Sequence, residues 1–598
     1  MKKLILNISI IGSVLVSMGA LQSCSDALET NLQPGTVEDD GTPFKTTDAL
    51  YNYMMGNVYG TLEPQYPIHV SAVLSDEVKP GSSSGGQEFS LHRYFLTSQE
   101  PRVAEIWQNN YAVINHVNRL VRGAEGITTS SDADQTRLNQ IVAQARAMRA
   151  YAYLQLESLF STDMKDPNAL GVLLVKDVPD LDAKLPRVKN SDIYAFIEAD
   201  LTFARNTLTA EGTNQYFIGK SAVNAISARY FLYKGDYAQA KTYATAVVNA
   251  ASAGGFGLTK ATPITMNNPI TSSYHAGNPS GLPRDYVIDG QENPATITLT
   301  DANGVPLTDS DGNQLPPVAA NNGGAWRNSF YGQLTTNVGT SFNPYRQMWV
   351  DQNRGESILS LGRIALGGNG QPIGSVWNTN SSSLSGAPMW FWGRNLYNLF
   401  LEEYGDVTGA NVGAKGDVRF LTNRDPTTSA NTNYASLYPN NLGQTRMTDR
   451  LVIDKYPGKA GTNVRNDIKL FRLSEMYFIL AECAVNDGQL TVAADYIKAI
   501  KDARNFRGTA VLPVYATAQA AWAGILKERR MELALEGHRL IDLKRLAVKA
   551  GVKMDRNNTD DIVLTSNLEN GDYRYTLPIP LSEISANPNA QQNPGYNN

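Results

Sequence analysis

Apolar residues recur every three or four positions along several long stretches of the chain, which is the spacing of a buried helical face. Between residues 138 and 160 they fall at Ile141, Ala145, Met148, Ala152, Leu156 and Leu159. The same periodicity predicts helices over 104–121, 193–208, 470–484 and 522–546, and a shorter helix over 395–404. The N-terminal and C-terminal thirds are therefore predicted to be mostly helical.

Two of these helical stretches share the same spacing of small residues. ARYFLYKGDYAQAKTY, residues 228–243, aligns without gaps on AECAVNDGQLTVAADY, residues 481–496. The shared positions are Ala228, Gly235, Ala240 and Tyr243 in the first copy and Ala481, Gly488, Ala493 and Tyr496 in the second. Small alanines let two helices approach closely, and the glycine ends the first helix of each pair. This spacing is typical of tetratricopeptide helix pairs, although two unrelated helix pairs can share it by chance.

The segment between the copies has a different composition. Residues 254–466 are rich in Asn, Gly, Thr, Ser and Pro and show almost no helical periodicity, which predicts long loops and short strands. We therefore expect a mostly α fold: a tetratricopeptide-like helical repeat scaffold, about 46–253 and 467–550, with a loop-rich insertion at 254–466. The insertion contains five of the seven tryptophans, Trp326, Trp349, Trp377, Trp390 and Trp392. Loops on a rigid scaffold often carry binding residues, but each tryptophan taken alone could fill a local core.

The N-terminus has the pattern of a lipoprotein leader. Lys2 and Lys3 precede an apolar stretch, and small Ser23 precedes Cys24. We predict a signal peptide over 1–23, lipidation of Cys24, a polar tether over 24–45 and one folded domain over 46–598. The alternative is an ordinary secretory peptide followed by a chance cysteine.

Composition excludes several functions. The formal net charge of −5, from 52 basic and 57 acidic residues, provides no basic excess for nucleic acid. If Cys24 carries lipid, Cys483 has no partner within the chain, and we expect it to be a buried small apolar residue. The five histidines lack metal-ligand spacing, and no phosphate-binding or nucleophile motif is present. We expect no metal, no cofactor and no enzymatic activity.

Two C-terminal segments carry a family resemblance. LKERRMELALEGHRLIDLKRLA, residues 526–547, and LPIPLSEISANPNAQQNPGY, residues 577–596, resemble the SusD/RagB family of outer-membrane nutrient-binding lipoproteins. The first matches an ER-x2-EL-x2-EG-x-R-x2-DL-x-R helix pattern, and the second matches a PIP…EI…NP…QNPGY ending. Segments beginning at Gln144 and Asp467 and the GDVRF element at 416–420 are similar to other parts of the family in the same order. The resemblance covers essentially the whole mature chain.

Glu528, Glu532 and Glu536 in the first segment lie on one helical face, where they would repel one another. We predict that Arg529, Arg539 and Arg545 neutralise this row in an ion-pair network. A pair of catalytic carboxylates, as in glycoside hydrolases, is the alternative.

The resemblance implies a non-catalytic receptor at the cell surface. It would be anchored by lipid in the outer membrane, facing the exterior, and would pass captured oligosaccharide to a SusC-like TonB-dependent transporter. Peptide capture, as in the RagB branch, is the second hypothesis; a glycoside hydrolase or a purely structural partner protein is the third. Tryptophan and tyrosine rings stack on sugar faces while Asp and Arg bind hydroxyls. The candidate ligand residues are Asp76, Arg93, Tyr94, Trp326, Arg327, Trp349, Trp377, Trp390 and Trp392, whereas Trp107 and Trp522 are assigned to the core.

Overall fold

The computed structural model describes most of the chain from residue 44 onward. The described residues are 44–261, 344–363, 372–377, 388–406, 413–424, 430–431, 433–434 and 449–596, except 82–83, 85, 181, 460–461, 464, 562 and 564–565. Cys24, the predicted leader and the predicted lipid attachment lie outside these residues. Among the described helices, none is both long and apolar enough to span a bilayer.

Helices dominate the described residues, which confirms the predicted mostly α fold. They are α1 (Thr47–Tyr53), α2 (Gln65–Leu74), α3 (Phe89–His92), α4 (Pro101–Ala124), α5 (Asp132–Phe160), α6 (Asn190–Thr207), α7 (Lys220–Lys234), α8 (Tyr237–Ala250), α9 (Pro344–Trp349), α10 (Arg394–Tyr404), α11 (Val418–Thr422), α12 (Leu473–Asn486), α13 (Leu490–Arg504), α14 (Ala518–Glu532), α15 (Arg539–Ala550) and α16 (Leu581–Ala586). A π-helical turn, Met54–Tyr59, continues α1, and a 3-10 turn covers Tyr573–Tyr575. Successive helices from α4 to α8 pack against one another, as do α12 with α13 and α14 with α15.

The two repeat copies form equivalent helical hairpins. The first copy is α7 and α8, and the second is α12 and α13. The four alanines of the pattern, Ala228, Ala240, Ala481 and Ala493, are fully buried. Gly235 and Gly488 end the first helix of each pair with φ of 88° and 74°, a left-handed conformation that glycine adopts without strain. Helix α8 packs directly on α12, so the copies are neighbours in space despite the long insertion between them.

Two predicted helices have different boundaries in the structure. The stretch predicted over 470–484 begins as a strand and becomes helical only at Leu473. The stretch predicted over 522–546 is two helices, α14 and α15, separated by a sharp turn. Leu535 and Gly537 in that turn have φ of 56° and 84°, which a continuous right-handed helix does not allow.

Four two-stranded antiparallel sheets occur in the described residues. Strands β1 (Val78–Pro80) and β5 (Trp390–Trp392) pair, as do β2 (Leu170–Leu173) with β3 (Arg187–Lys189), β4 (Ser357–Leu361) with β8 (Ile468–Arg472), and β6 (Gly458–Lys459) with β7 (Thr462–Asn463). The β1–β5 pair sets Val78 opposite Trp392 and Pro80 opposite Trp390. Strand pairing therefore joins the insertion to both the N-terminal and the C-terminal helical blocks.

A buried ion-pair network lies where these parts meet. Glu532 at the end of α14 lies 2.8 Å from both Arg472 and Arg504 and 3.2 Å from Arg419, and all four side chains are buried. The acidic row is thus neutralised mainly by arginines from β8, α13 and α11. The prediction that Arg529, Arg539 and Arg545 neutralise it is wrong: these three pair instead with Asp542, Asp76 and Glu482. The arginines that do pair with Glu532 come from distant parts of the sequence, and helical spacing gives no indication of such contacts.

Candidate functional site

The tryptophans of the insertion that the structure describes are core residues. Trp349, Trp377, Trp390 and Trp392 are at most 1% exposed. Trp392 donates from Nε1 to the carbonyl oxygen of Asn423 at 2.9 Å, and Trp349 packs edge-on against Tyr456. A ring without exposed surface cannot stack on a sugar, so the prediction of a ligand surface is wrong for these four. Trp326 and Arg327 lie outside the described residues, and Trp107 and Trp522 are buried as predicted.

Asp76 is also structural. Its carboxylate accepts hydrogen bonds of 2.7 Å from Nε and Nη2 of Arg539, and it lies 3.3 Å from Arg530. Burial alone would raise the pKa of Asp76, but Arg530 and Arg539 outweigh burial and hold that pKa well below its usual range. The side chain is 2% exposed and already fully paired, so its prediction as a ligand contact is wrong.

The loop before α4 contains the remaining predicted residues, and it turns Tyr94 inward. The ring of Tyr94 is 5% exposed, and the guanidinium groups of Arg556 and Arg574 lie 4.4 Å and 5.6 Å from its centroid. Its hydroxyl donates to Sδ of Met554 at 2.9 Å. Tyr94 has φ of 65°, a strained conformation for a residue with a side chain. Tyr94 therefore anchors the loop from inside and is not available to a ligand, contrary to the prediction.

The next residue, Phe95, presents the exposed ring of this loop. Its side chain is 71% exposed, while its backbone N–H donates to the carbonyl oxygen of Ser90 at 2.8 Å. From Phe95 onward the loop alternates: Phe95, Thr97 and Gln99 are exposed, whereas Leu96 is buried. Sequence reasoning chose this loop but missed Phe95. The sequence offered no signal for it, because the left-handed backbone at Tyr94, which sends the two neighbouring rings to different sides, cannot be identified from the residue types.

Arg93 lies at the edge of the same surface. Its Nε and Nη2 atoms each donate to Asp561 at 2.8 Å, and its guanidinium lies 4.5 Å from the centroid of the Phe89 ring. The side chain is 25% exposed. Of the three candidates outside the insertion, Asp76, Arg93 and Tyr94, Arg93 is therefore the one whose side chain keeps exposed surface.

Several contacts hold the loop in one conformation. Arg556 donates to the backbone carbonyls of Val73 and Ser75 at 2.8 Å and 2.7 Å and also to that of His92. At the other end, Leu581 donates its backbone N–H to the carbonyl oxygen of Ser98 at 2.8 Å. Because the backbone is fixed at both ends, little conformational entropy remains to be lost when Phe95 contacts a ligand.

The acidic side chains at the base of the loop are occupied. Glu88 accepts hydrogen bonds from His69 Nε2 at 2.6 Å and Arg102 Nε at 2.8 Å. Burial alone would raise the pKa of Glu88, but His69 and Arg102 outweigh burial and lower that pKa to about 2. Glu100 accepts from the backbone N–H of Arg102 and caps α4. Among the described residues no cluster of three or more His, Cys, Asp or Glu side chains is arranged to hold a metal ion.

Comparison with known proteins places this fold within one class. A family model described as "SusD family" matches residues 374–596, and one described as "Starch-binding associating with outer membrane" matches residues 49–232. The chain belongs to the SusD/RagB family.

Individual relatives are distant. SusD-like protein P2 of Formosa agariphila is 26% identical over 243 residues, a match that spans 39% of this chain and only 45% of that relative. A putative sugar binding protein from Bacteroides vulgatus is 20% identical, with a TM-score of 0.63 over 93% of this chain and 99% of its own. A laminarin binding SusD-like protein is 18% identical, with a TM-score of 0.52 over 92% of this chain and 100% of its own. At these identities the solved structures establish the shared fold.

Proposed function

We propose that this protein is a cell-surface receptor that captures oligosaccharide or polysaccharide and delivers it to a SusC-like TonB-dependent transporter in the outer membrane. The observation that carries the proposal is Phe95, an aromatic ring left 71% exposed on a loop that is otherwise tightly anchored. Family membership supports it, as do the relatives described as sugar binding and laminarin binding.

The surface around Phe95 suits a sugar. One face of a pyranose is a patch of C–H groups that packs on an aromatic ring, and its hydroxyls need hydrogen-bonding partners at the edges. Phe95 would provide the ring, Thr97 and Gln99 a hydroxyl and an amide on the same exposed face, and Arg93 a further donor. No reacting group is needed for such binding.

The cellular part of the proposal rests on the N-terminal sequence. A lipid on Cys24 would hold the protein at the outer membrane, and residues 24–45 would act as the tether, with the binding surface facing the exterior. The family model described as associating with the outer membrane supports this placement.

A binding screen tests the proposal. The chain from Ser25 onward would be run through affinity electrophoresis gels that contain neutral and acidic polysaccharides, with a peptide pool tested in parallel by calorimetry. We expect retardation by one glycan class, and Phe95→Ala should weaken that binding by about tenfold or more, which corresponds to the loss of about 1.4 kcal/mol of stacking. Phe95→Tyr should retain it.

Val511 provides the matched control, because it is 86% exposed on the connection between α13 and α14. Val511→Ala should leave both glycan binding and thermal stability unchanged. Binding from the peptide pool alone, or glycan binding that survives Phe95→Ala, would contradict the proposal.

A further inference from the structure

A second opening lies on the C-terminal side of the molecule. It is a cleft of about 350 Å³ between the end of α5, the face of α15 and the segment 571–576, and Pro594 also belongs to its lining. Pockets for small ligands begin at about 300 Å³, so the cleft has room for one sugar residue. The cleft lining includes Tyr573, whose side chain is 43% exposed.

The ring of Tyr573 is held from behind. It packs edge-on against Tyr596 with 4.9 Å between centroids, and it lies directly over Gly595. A Cβ atom at Gly595 would come within 2.4 Å of the ring, so a glycine is needed for this close approach. Tyr573 therefore has a fixed position while one part of its surface remains open to solvent.

Two of the charged side chains that line the cleft are already neutralised. Arg545 donates to both carboxylate oxygens of Glu482 at 2.6 Å and 2.7 Å. Asp572 accepts from Nε and Nη2 of Arg574 at 2.9 Å and 2.7 Å. Neither Arg545 nor Asp572 is therefore available to balance the charge of a ligand inside the cleft.

Two lysines in the lining form no direct ion pair. Among the described residues, no carboxylate oxygen lies within 4.0 Å of the ammonium nitrogen of Lys165 or Lys544. Lys544 donates to a backbone carbonyl, that of Ser161, at 2.6 Å. The one remaining carboxylate of the lining, Asp163, accepts from the backbone N–H of Lys165 at 2.8 Å. Apart from the paired Arg545 and Asp572, the lining thus has two lysines and one carboxylate, which leaves an excess of one positive charge next to an aromatic ring.

The pKa values of both lysines are lowered. Burial lowers the pKa of Lys544 to about 8, although the carboxylates of Asp163 and Glu157 act in the opposite direction. Burial, together with the nearby cations Lys549 and Arg545, also lowers the pKa of Lys165. A bound anion would relieve both effects, because an opposite charge stabilises the protonated ammonium.

We propose that this cleft is a second ligand site that holds an acidic sugar residue, with its carboxylate or sulfate group bound by Lys165 and Lys544 and its ring against Tyr573. The inference rests on the proposed function in that the acidic residue belongs to the captured glycan. Arg574 connects the two surfaces: its guanidinium lies 5.4 Å from the Tyr573 ring and donates to the carbonyl oxygen of Tyr94, the residue before Phe95, at 3.5 Å.

The test uses small ligands that fill only the cleft. Binding of methyl glucuronide, glucose 6-sulfate and methyl glucoside to the chain from Ser25 onward would be measured by calorimetry and by ligand-observed NMR. We expect binding of the carboxylate sugar, the sulfate sugar or both, which identifies the anionic group, and no binding of the neutral sugar. Lys165→Met, at an exposed position, should weaken binding at least tenfold. Lys544→Met should do the same.

Lys241 is the control lysine, since it lies outside the cleft lining and pairs with Asp487 at 2.9 Å. Lys241→Met should bind as the unaltered protein does. Absence of binding by both acidic sugars, or binding that Lys165→Met leaves unchanged, would overturn the inference. Phe95→Ala should retain acidic-sugar binding. A protein that fails the polysaccharide screen but binds acidic sugars through Lys165 would therefore refute the proposed function without refuting this cleft.

Discussion

Removing the charge of Glu532 while keeping its shape measures how strongly the buried ion-pair network stabilises the fold. In Glu532→Gln the side chain keeps its volume, but Arg472 and Arg504 lose an anion at 2.8 Å. Burial alone would raise the pKa of Glu532, but Arg504 and Arg472 outweigh burial and hold that pKa well below its usual range. The carboxylate is therefore charged at neutral pH, and its loss leaves buried guanidinium charge only partly compensated.

The expected magnitude follows from what remains. Breaking a buried ion pair costs about 3–5 kcal/mol, and the lower value applies because Glu356 still pairs with both arginines. A domain of about 550 residues unfolds with an entropy of about 1.2 kcal/mol per kelvin, so a loss of about 3 kcal/mol lowers Tm by roughly 2–3 °C. Differential scanning calorimetry resolves such a shift.

Glu402 offers the matched control. It pairs with Lys527 at 3.2 Å on the surface, where its side chain is 52% exposed. Surface pairs contribute about 0–1 kcal/mol, so Glu402→Gln should leave Tm nearly unchanged. If Glu532→Gln matched the control, or were more stable than the unaltered protein, the network would not stabilise the fold as argued.

Three further predictions concern other parts of the chain. Trp392→Ala should lower the unfolding free energy by about 3–5 kcal/mol in urea titrations, because it empties a core site and removes the hydrogen bond to Asn423; a loss under 1 kcal/mol would contradict its place in the core. Burial raises the pKa of Glu77 from its ordinary 4.5 to about 8, so between those values the folded protein holds a proton that the unfolded chain has released, and stability falls as pH rises. The stability of Glu77→Gln relative to the unaltered protein should then increase from about pH 5 to about pH 8, by up to about 1.4 kcal/mol per pH unit, and a constant difference would argue against a shifted pKa. Cys24→Ala should abolish incorporation of labelled palmitate and release the protein from the membrane fraction, whereas labelling that persists would place the lipid elsewhere.

Helical periodicity predicted most of the scaffold because it reports a local property of the chain. The repeat alanines and Gly235 could be identified for the same reason, since their spacing is set by one hairpin. The break between α14 and α15 was missed although Gly537 was a local signal for a turn, because Leu535, two residues earlier, has an apolar side chain at a position where the backbone is already left-handed. Nothing in the periodicity distinguishes such a leucine from one within a helix.

The candidate site was harder to predict because exposure depends on tertiary contacts. Tryptophans in a polar segment suggested a ligand surface, yet the β1–β5 pairing buries Trp390 and Trp392 against the N-terminal block. The ion-pair partners of Glu532 also depend on tertiary contacts. The sequence indicated that Glu532 needs nearby cations but did not reveal that Arg419 and Arg504 provide them.

The direct packing of α8 on α12 affects how the chain folds and how it can vary. The connection between these helices contains about 220 residues, and closing a loop of that length costs roughly 2 kcal/mol more than closing one of about 20 residues. The penalty grows only with the logarithm of length, so lengthening or shortening the connection by tens of residues changes it by a few tenths of a kcal/mol. Contacts this distant in sequence slow folding, because α8 cannot pack on α12 until the long connection has brought the N-terminal and C-terminal helices together. Changes in the length of this connection, made away from its core tryptophans, therefore cost little stability, and the effect of the long connection falls mainly on the folding rate.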